Sequence, residues 1–172
     1  MKEKVNPFDY AELIAKALRP GILLNTMDEK FNSMVIGWGH LGVIWGRPTF
    51  VAYVRDSRFT KGQLDGTGVF TVSIPLNGAD SEINRVCGSM SGRDADKAEA
   101  AHLTLEEPEE NGVPGIREYP LTLECRVLYG QRQELEAIPD DVKARFYRPN
   151  GEYGPDIHTA YIGEIVSAYI IK

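Results

Sequence analysis

The 172-residue chain is poor in cysteine: only Cys87 and Cys125 occur, and they form no CxxC pair. That excludes a disulfide scaffold and reads as a reducing cytoplasm with buried or inert thiols. Positive charge is also short, with 19 Lys plus Arg against 25 Asp plus Glu, a net −6. Such a balance excludes a non-specific nucleic-acid binder and a polybasic membrane-surface protein. No apolar run is long enough to span a bilayer. The opening MKEKVNPFDYAEL has lysines but no apolar core, which argues against a secretory signal. His40, His102 and His158 have no metal-ligand spacing with one another or with either cysteine. No Ser-His-Asp arrangement is evident, and Cys87 has no nearby base in the sequence. With 42% hydrophobic residues, 26% charged and a mean hydropathy of −0.28, the expectation is one globular domain over residues 1–172.

What the chain does have is alternation. Asn6-Pro7 opens a helix whose apolar face is Tyr10, Leu13, Ile14, Ala17 and Leu18, stopped by Pro20-Gly21. The period then becomes two. Ile22–Asn25, the set Met34/Ile36/Trp38, Phe50/Ala52/Val54, Phe70/Val72/Ile74 and Leu121 to Tyr129 read as strands. Ile157 to Ile171 reads as a last strand, apolar on both faces and so covered or at an interface. About six strands with few crossover helices favour an antiparallel barrel over a doubly wound sheet. Thr60 to Asp65 predicts one short helical turn closed by Gly66 and Gly68, and Ala79 to Leu103 predicts a helical stretch broken at Gly88 and Gly92. Glu106 to Glu118 reads as a solvated loop, Asp140 to Tyr147 as a short helix, and residues 149–156 as a turn.

Three motifs bear on chemistry. Gly37-Trp38-Gly39-His40-Leu41-Gly42 matches GxGxxG, but strand or turn follows it where a dinucleotide fold needs a helix, so that reading is rejected. Arg55-Asp56-Ser57-Arg58-Phe59-Thr60-Lys61 carries +2 locally at a strand-to-helix turn, which suits a phosphate. The plainer alternative is a solvated turn with Ser57 or Thr60 capping the helix. Ser89-Met90-Ser91-Gly92-Arg93-Asp94-Ala95-Asp96-Lys97 likewise suits an anion, or else is an ordinary helix start capped by Asp94 or Asp96. Two such turns in one small acidic domain carry more weight than either alone. Trp38, Trp45 and Phe59 suit either a flat ligand or core packing, and His158 beside a polar turn either a ligand contact or a satisfied surface position.

Taken in order, Asn32-Ser33-Met34-Val35-Ile36-Gly37-Trp38-Gly39, Arg47-Pro48, the Arg55 run, Gly68-Val69-Phe70-Thr71-Val72, Cys87 to Lys97 and His158 to Ile165 resemble a flavin reductase-like domain of the FMN-binding split-barrel superfamily, close to the flavoredoxin group. The likeness spans residues 20 to 170. It departs at Ala98, where the family usually has an aromatic. The resemblance implies a mainly β, six-stranded antiparallel Greek-key split barrel with an N-terminal helix and short flanking helices. It implies a homodimer with FMN near the interface, the phosphate among Arg55, Ser57, Arg58 and Thr60, and further contacts from Ser91, Arg93 and Lys97. Asn32, Ser33, Met34 and Trp38 would border the ring system, and Gly39, Phe59, Ser89 and Gly92 complete the candidate cofactor-binding set. The implied activity is NAD(P)H-dependent, passing hydride or electrons through FMN to free flavin or another acceptor, and no proton-transferring residue is assigned. The alternatives are a flavoredoxin-type electron carrier reduced by a protein partner, and a non-enzymatic split barrel that binds another ligand such as haem, or none.

Overall fold

In the computed structural model, residues 1–149 and 154–172 are described. Asn6 accepts the Phe8 N–H and opens a 3-10 turn at Pro7–Tyr10, which runs into α1 (Ala11–Ala17). Strands β2 (Ile22–Met27), β3 (Phe31–Ile36), β4 (Gly39–Ile44) and β5 (Arg47–Arg55) follow β1 (Lys2–Lys4). Then come α2 (Phe59–Thr67), β6 (Val69–Ile74), α3 (Ser81–Ser89) and α4 (Lys97–Ala100). The small pair β7 (Leu105–Glu106) and β8 (Gly115–Ile116) precedes β9 (Leu121–Arg132), α5 (Asp140–Phe146) and β10 (His158–Ile171).

The principal sheet is antiparallel and runs β3-β2-β6-β9-β10-β5-β4, with β1 added to β10. It therefore has eight strands where the sequence reading expected six. The extra ones are β1, too short to show a period, and β4, whose glycines hide the alternation. Strands β3 and β4 lie at opposite ends of the path, yet only Gly37-Trp38 joins them. A two-residue link cannot span an open sheet, so the sheet rolls up until its ends meet. Ile22, Leu24, Phe50, Ala52, Phe70, Val72, Leu123 and Cys125 fill the inside of this roll. Leu23, one residue out of phase, points outward against Ile83, Val86 and Cys87 of α3.

Strand β10 is paired on both edges, by β9 and β5, which accounts for its two apolar faces. It passes the core closely at Gly163, where a Cβ would come 2.6 Å from the Phe70 ring. The expected turn after Arg58 is a nine-residue helix ended by Gly68 in the left-handed region, φ 68°. The expected loop at 106–118 is less solvated than its glutamates suggest, since Val113 and Ile116 are buried. Buried Glu124 on β9 accepts the N–H groups of Glu109, Glu110 and Asn111 at 2.6, 2.7 and 2.9 Å, and so draws that loop in. The turn expected at 149–156 lies partly outside the described residues. Among those described, no helix is long and apolar enough to cross a membrane.

Candidate functional site

β3, the start of α2 and the α3–α4 connection converge on a cleft of about 180 Å³. Asn32 on β3 is buried and donates to Thr60 Oγ1 on α2 at 2.8 Å, while its own Oδ1 has no partner. An unpartnered buried carbonyl is costly, and this one lies at the wall of the cleft. Gly92 lies against it: a Cβ there would overlap Asn32 Oδ1 and come 2.6 Å from the Phe59 ring. Asp96 caps α4 through the N–H groups of Ala98 and Glu99, as the plainer sequence alternative had it. That cap turns the next residue, Lys97, inward.

Lys97 is 4% exposed, and its ammonium donates to the Ser33 carbonyl at 2.7 Å and the Cys87 carbonyl at 3.0 Å. An ammonium has three protons, and two carbonyls neutralise no charge. Burial pushes its pKa below the usual lysine value, the nearby Cys87 thiol works the other way, and the Arg58 guanidinium adds to the lowering. Burial raises the Cys87 thiol. Among the described residues no ion pair includes Arg58, Arg93 or Lys97. The cleft therefore gathers the positive charges of Arg58, Arg93 and Lys97 along one lining.

A second cleft of about 180 Å³ continues from the first, sharing Met34, Val35 and Arg58. Here Trp38 stacks obliquely on His158, with centroids 4.6 Å apart, and meets the Phe146 ring edge-on at 5.2 Å. His158 Nδ1 lies 2.9 Å from the Tyr147 hydroxyl, which donates to Gln133 Oε1 at 2.9 Å. Burial, helped by the Arg55 and Arg58 charges, lowers the His158 pKa to about 4. The ring is therefore neutral near pH 7.

The first cleft brings together Asn32, Met34, Ser57, Arg58, Phe59, Thr60, Ser89, Ser91, Gly92, Arg93 and Lys97, from three separate sequence runs. Trp38 and Arg55 line the second cleft. Ser33 is buried behind the first, offering its carbonyl to Lys97. Gly39 lines neither; a Cβ there would come 2.8 Å from the Val51 carbonyl across the β4–β5 ladder. Two residues have partners that the sequence did not suggest. Arg55 spans the carbonyls of Phe146, at 3.1 Å, and Asp156, and lies over the Tyr147 ring. Ser57 donates its N–H and hydroxyl to the Asp156 carboxylate at 2.9 and 2.6 Å. Cys87 and Met90, which lie within the quoted runs but outside the candidate binding set, also line the first cleft, and Tyr53 lines the second without a motif to mark it.

The model of the flavin reductase like domain matches residues 25–172. The chain belongs to that family. Among solved structures it is similar to the flavoredoxin of Methanosarcina acetivorans, with 26% identity, a TM-score of 0.64, and coverage of 88% of this chain and 68% of that one. It is similar in fold to the flavoredoxin of Desulfovibrio vulgaris (Miyazaki F), with 23% identity, a TM-score of 0.66, and coverage of 88% and 69%. An uncharacterized protein of Archaeoglobus fulgidus is 35% identical over 75 residues, which is 44% of this chain and 42% of that relative's length. The family match includes every run that lines the two clefts.

Proposed function

We propose that the chain binds FMN in the two joined clefts and works as an oxidoreductase that draws on NAD(P)H and delivers electrons to free flavin or another acceptor. The observation that carries this reading is buried Lys97, whose ammonium has carbonyl partners and no carboxylate, beside Arg58 at the junction of the clefts. A phosphate dianion supplies the missing countercharge and accepts from Ser, Thr and Arg donors already facing the hollow. The missing side chain at Gly92 lets the loop that carries Ser91 and Arg93 pack directly on Asn32 and Phe59, which supports the reading by fixing those donors at the cleft.

In this reading Arg58, Thr60, Ser91, Arg93 and Lys97 hold the phosphate, and Ser57 joins them once Asp156 yields. Trp38 and Met34 border the ring system, with Phe146 excluding water from one side. Bound FMN supplies a hydride acceptor and an exit for electrons, so the chain itself provides position and charge rather than a nucleophile. A homodimer and a cytoplasmic location complete the proposal. Exposed Val43, Trp45 and Tyr129 on β4, its hairpin tip and β9 support a second copy packing there, and two free buried thiols suit a reducing compartment.

Purified protein is expected to take up FMN stoichiometrically, and NADH or NADPH alone is expected to bleach the bound flavin in stopped flow. Sedimentation is expected to give twice the chain mass of 19.2 kDa. A colourless protein that takes up no FMN would overturn the reading. The similarity to flavoredoxins favours one second reading, an electron carrier reduced by a protein partner. Flavin that binds but resists both nicotinamides would select it, and a haem spectrum in place of flavin would select a different ligand altogether.

A further inference from the structure

Ten of the nineteen lysines and arginines stand in ion pairs among the described residues, and the other nine are not scattered. Arg55, Arg58, Arg93 and Lys97 line the two joined clefts, and Lys30 lies 5.2 Å from the ring centroid of Phe59 in the first. Arg145 and Arg148 flank Phe146 and Tyr147, whose rings meet Trp38 and His158. Arg19 follows Leu18, whose carbonyl lies 3.3 Å from a Cβ built on Gly37 at the Trp38 cleft. Of the nine, Lys2 alone sits apart, over the Tyr169 ring. Among the described residues no Asp or Glu lines either cleft. We propose that Arg19, Arg145 and Arg148 form a docking rim beside Trp38 for an acidic electron-carrier protein, the acceptor that takes electrons from the bound flavin. The proposal rests on FMN occupying the joined clefts, and it names the chemistry of the acceptor.

Surplus charge is the first argument. A phosphate monoester carries about −1.5 to −2, which the four cleft-lining cations already exceed. Arg19, Arg145 and Arg148 are exposed and lie outside the clefts, so FMN leaves them unanswered. Their placement is the second. α5 carries its acids, Asp140 and Asp141, in its first turn, where Lys143 pairs with Asp140 at 2.7 Å, and it puts Arg145 at the end that bears Phe146. Arg19 arrives at the same cleft from the end of α1, far away in sequence. Third, the openings are apolar at their centre. Trp38, Phe146 and Met90 are large side chains that stay 36–39% exposed there. An apolar centre within a charged rim is the anatomy of a specific interface, and transient electron-transfer contacts are its smallest class. Opposite charge speeds such an encounter more than it tightens it. Each carrier takes one electron at its metal centre. Two carriers therefore discharge one anionic, two-electron-reduced flavin, whose N5 proton passes to water.

Two probes of opposite charge test this: plant plastocyanin, an acidic blue-copper protein, and cytochrome c, a basic haem protein. Dissociation constants for both are measured by chemical-shift titration of the oxidised, FMN-loaded chain at roughly 20 and 300 mM salt. Reduction of both by the photoreduced holoprotein is followed in stopped flow at the same salt concentrations. The chain's net charge of −6 would by itself repel plastocyanin, so that its reduction would speed up with salt. The rim predicts the reverse. Plastocyanin is expected to bind more tightly than cytochrome c, and its reduction is expected to slow fivefold or more as salt rises. Arg19→Glu combined with Arg145→Glu is expected to weaken plastocyanin binding tenfold or more, with FMN affinity and melting temperature held. Arg19→Lys combined with Arg145→Lys is expected to keep wild-type binding, since it keeps the charge. Plastocyanin reduction that accelerates with salt, or binding indifferent to the charge reversal, overturns the proposal. So does slower bleaching by NADPH in the Glu variant with plastocyanin binding intact, which would give the rim to the nicotinamide dinucleotide. Failure of the wild type to take up FMN overturns the underlying reading instead, and a separate FMN titration reveals that.

Discussion

Asp156 grips Ser57 with both carboxylate oxygens, taking its N–H at 2.9 Å and its hydroxyl at 2.6 Å. An acidic side chain thus sits on two donors at the edge of a cationic hollow, where an external anion would otherwise use them. The chain carries its own competitor for part of the phosphate seat.

Removing that competitor should tighten the ligand. Asp156→Ala frees both Ser57 donors and deletes a like charge next to the phosphate. FMN affinity is expected to rise by roughly three- to tenfold, since one or two bonds of about 1 kcal/mol become available. Titration followed by flavin fluorescence reads this directly. Weaker binding in the variant would mean that Asp156 positions Ser57 rather than competing for it.

Lys97 should control both affinity and its pH dependence. Lys97→Met keeps most of the volume and loses the charge, so FMN binding is expected to weaken at least tenfold, given roughly 1.5–3 kcal/mol for a charge-assisted bond. In the wild type the lysine pKa is lowered by burial and by Arg58. A dianion binds the protonated form, so affinity is expected to fall as pH rises, beginning below the normal lysine range. The same titration on Lys97→Met is expected to lack that fall.

Arg55 acts as a latch. Its guanidinium joins the carbonyls of Phe146 and Asp156, on the excursion between β9 and β10. Arg55→Ala is expected to lower the melting temperature by a few degrees, at about 2–4 °C per kcal/mol for a chain this size, and to speed proteolysis within residues 133–157. FMN affinity is expected to move less than fivefold. Unchanged proteolysis with tenfold weaker FMN would return Arg55 to the phosphate.

His158 makes the fold sensitive to acid. Its pKa is about 4 folded, against about 6.5 in an unfolded chain, so between those values the unfolded state binds more protons. Stability is therefore full above pH 6.5 and lost as pH falls towards 4, by an amount on the order of 3 kcal/mol. Urea denaturation at pH 7 and pH 4.5 should show that loss, and His158→Gln should flatten it.

Gly92 permits no side chain. Gly92→Ala pushes a methyl into Asn32 Oδ1 and the Phe59 ring, and is expected to cost about 1–3 kcal/mol of stability. The Asn32–Thr60 bond would be displaced with it, so FMN binding is expected to fall at least tenfold. Wild-type affinity and stability in this variant would show that the wall can yield.

Much of the architecture was legible from local chemistry. Alternation in Phe50/Ala52/Val54 and Phe70/Val72/Ile74 needs only a half-buried pleat, and Asn6 and Asp96 cap helices through bonds spanning two or three residues. The Arg55 run and the Ser89 run were visible as separate anion-suited turns because cationic side chains, hydroxyls and glycine are written locally. β1 and β4 were not visible, being too short or too glycine-rich to alternate. The loop at 106–118 looked solvated because nothing nearby in the chain reveals that Glu124 receives its N–H groups.

The amino-acid order alone determined six of the eight strands of the principal sheet, the caps, and the two anion-suited turns, all of which depend on neighbours within a few residues. Only the folded sheet decided that Arg55 serves Phe146 and Asp156, that Ser57 is held by a carboxylate 99 positions away, and that Gly37-Trp38 must bring the two ends of the sheet together. Those outcomes depend on which donor and acceptor arrive at the same point in space, and short-range spacing carries no record of that.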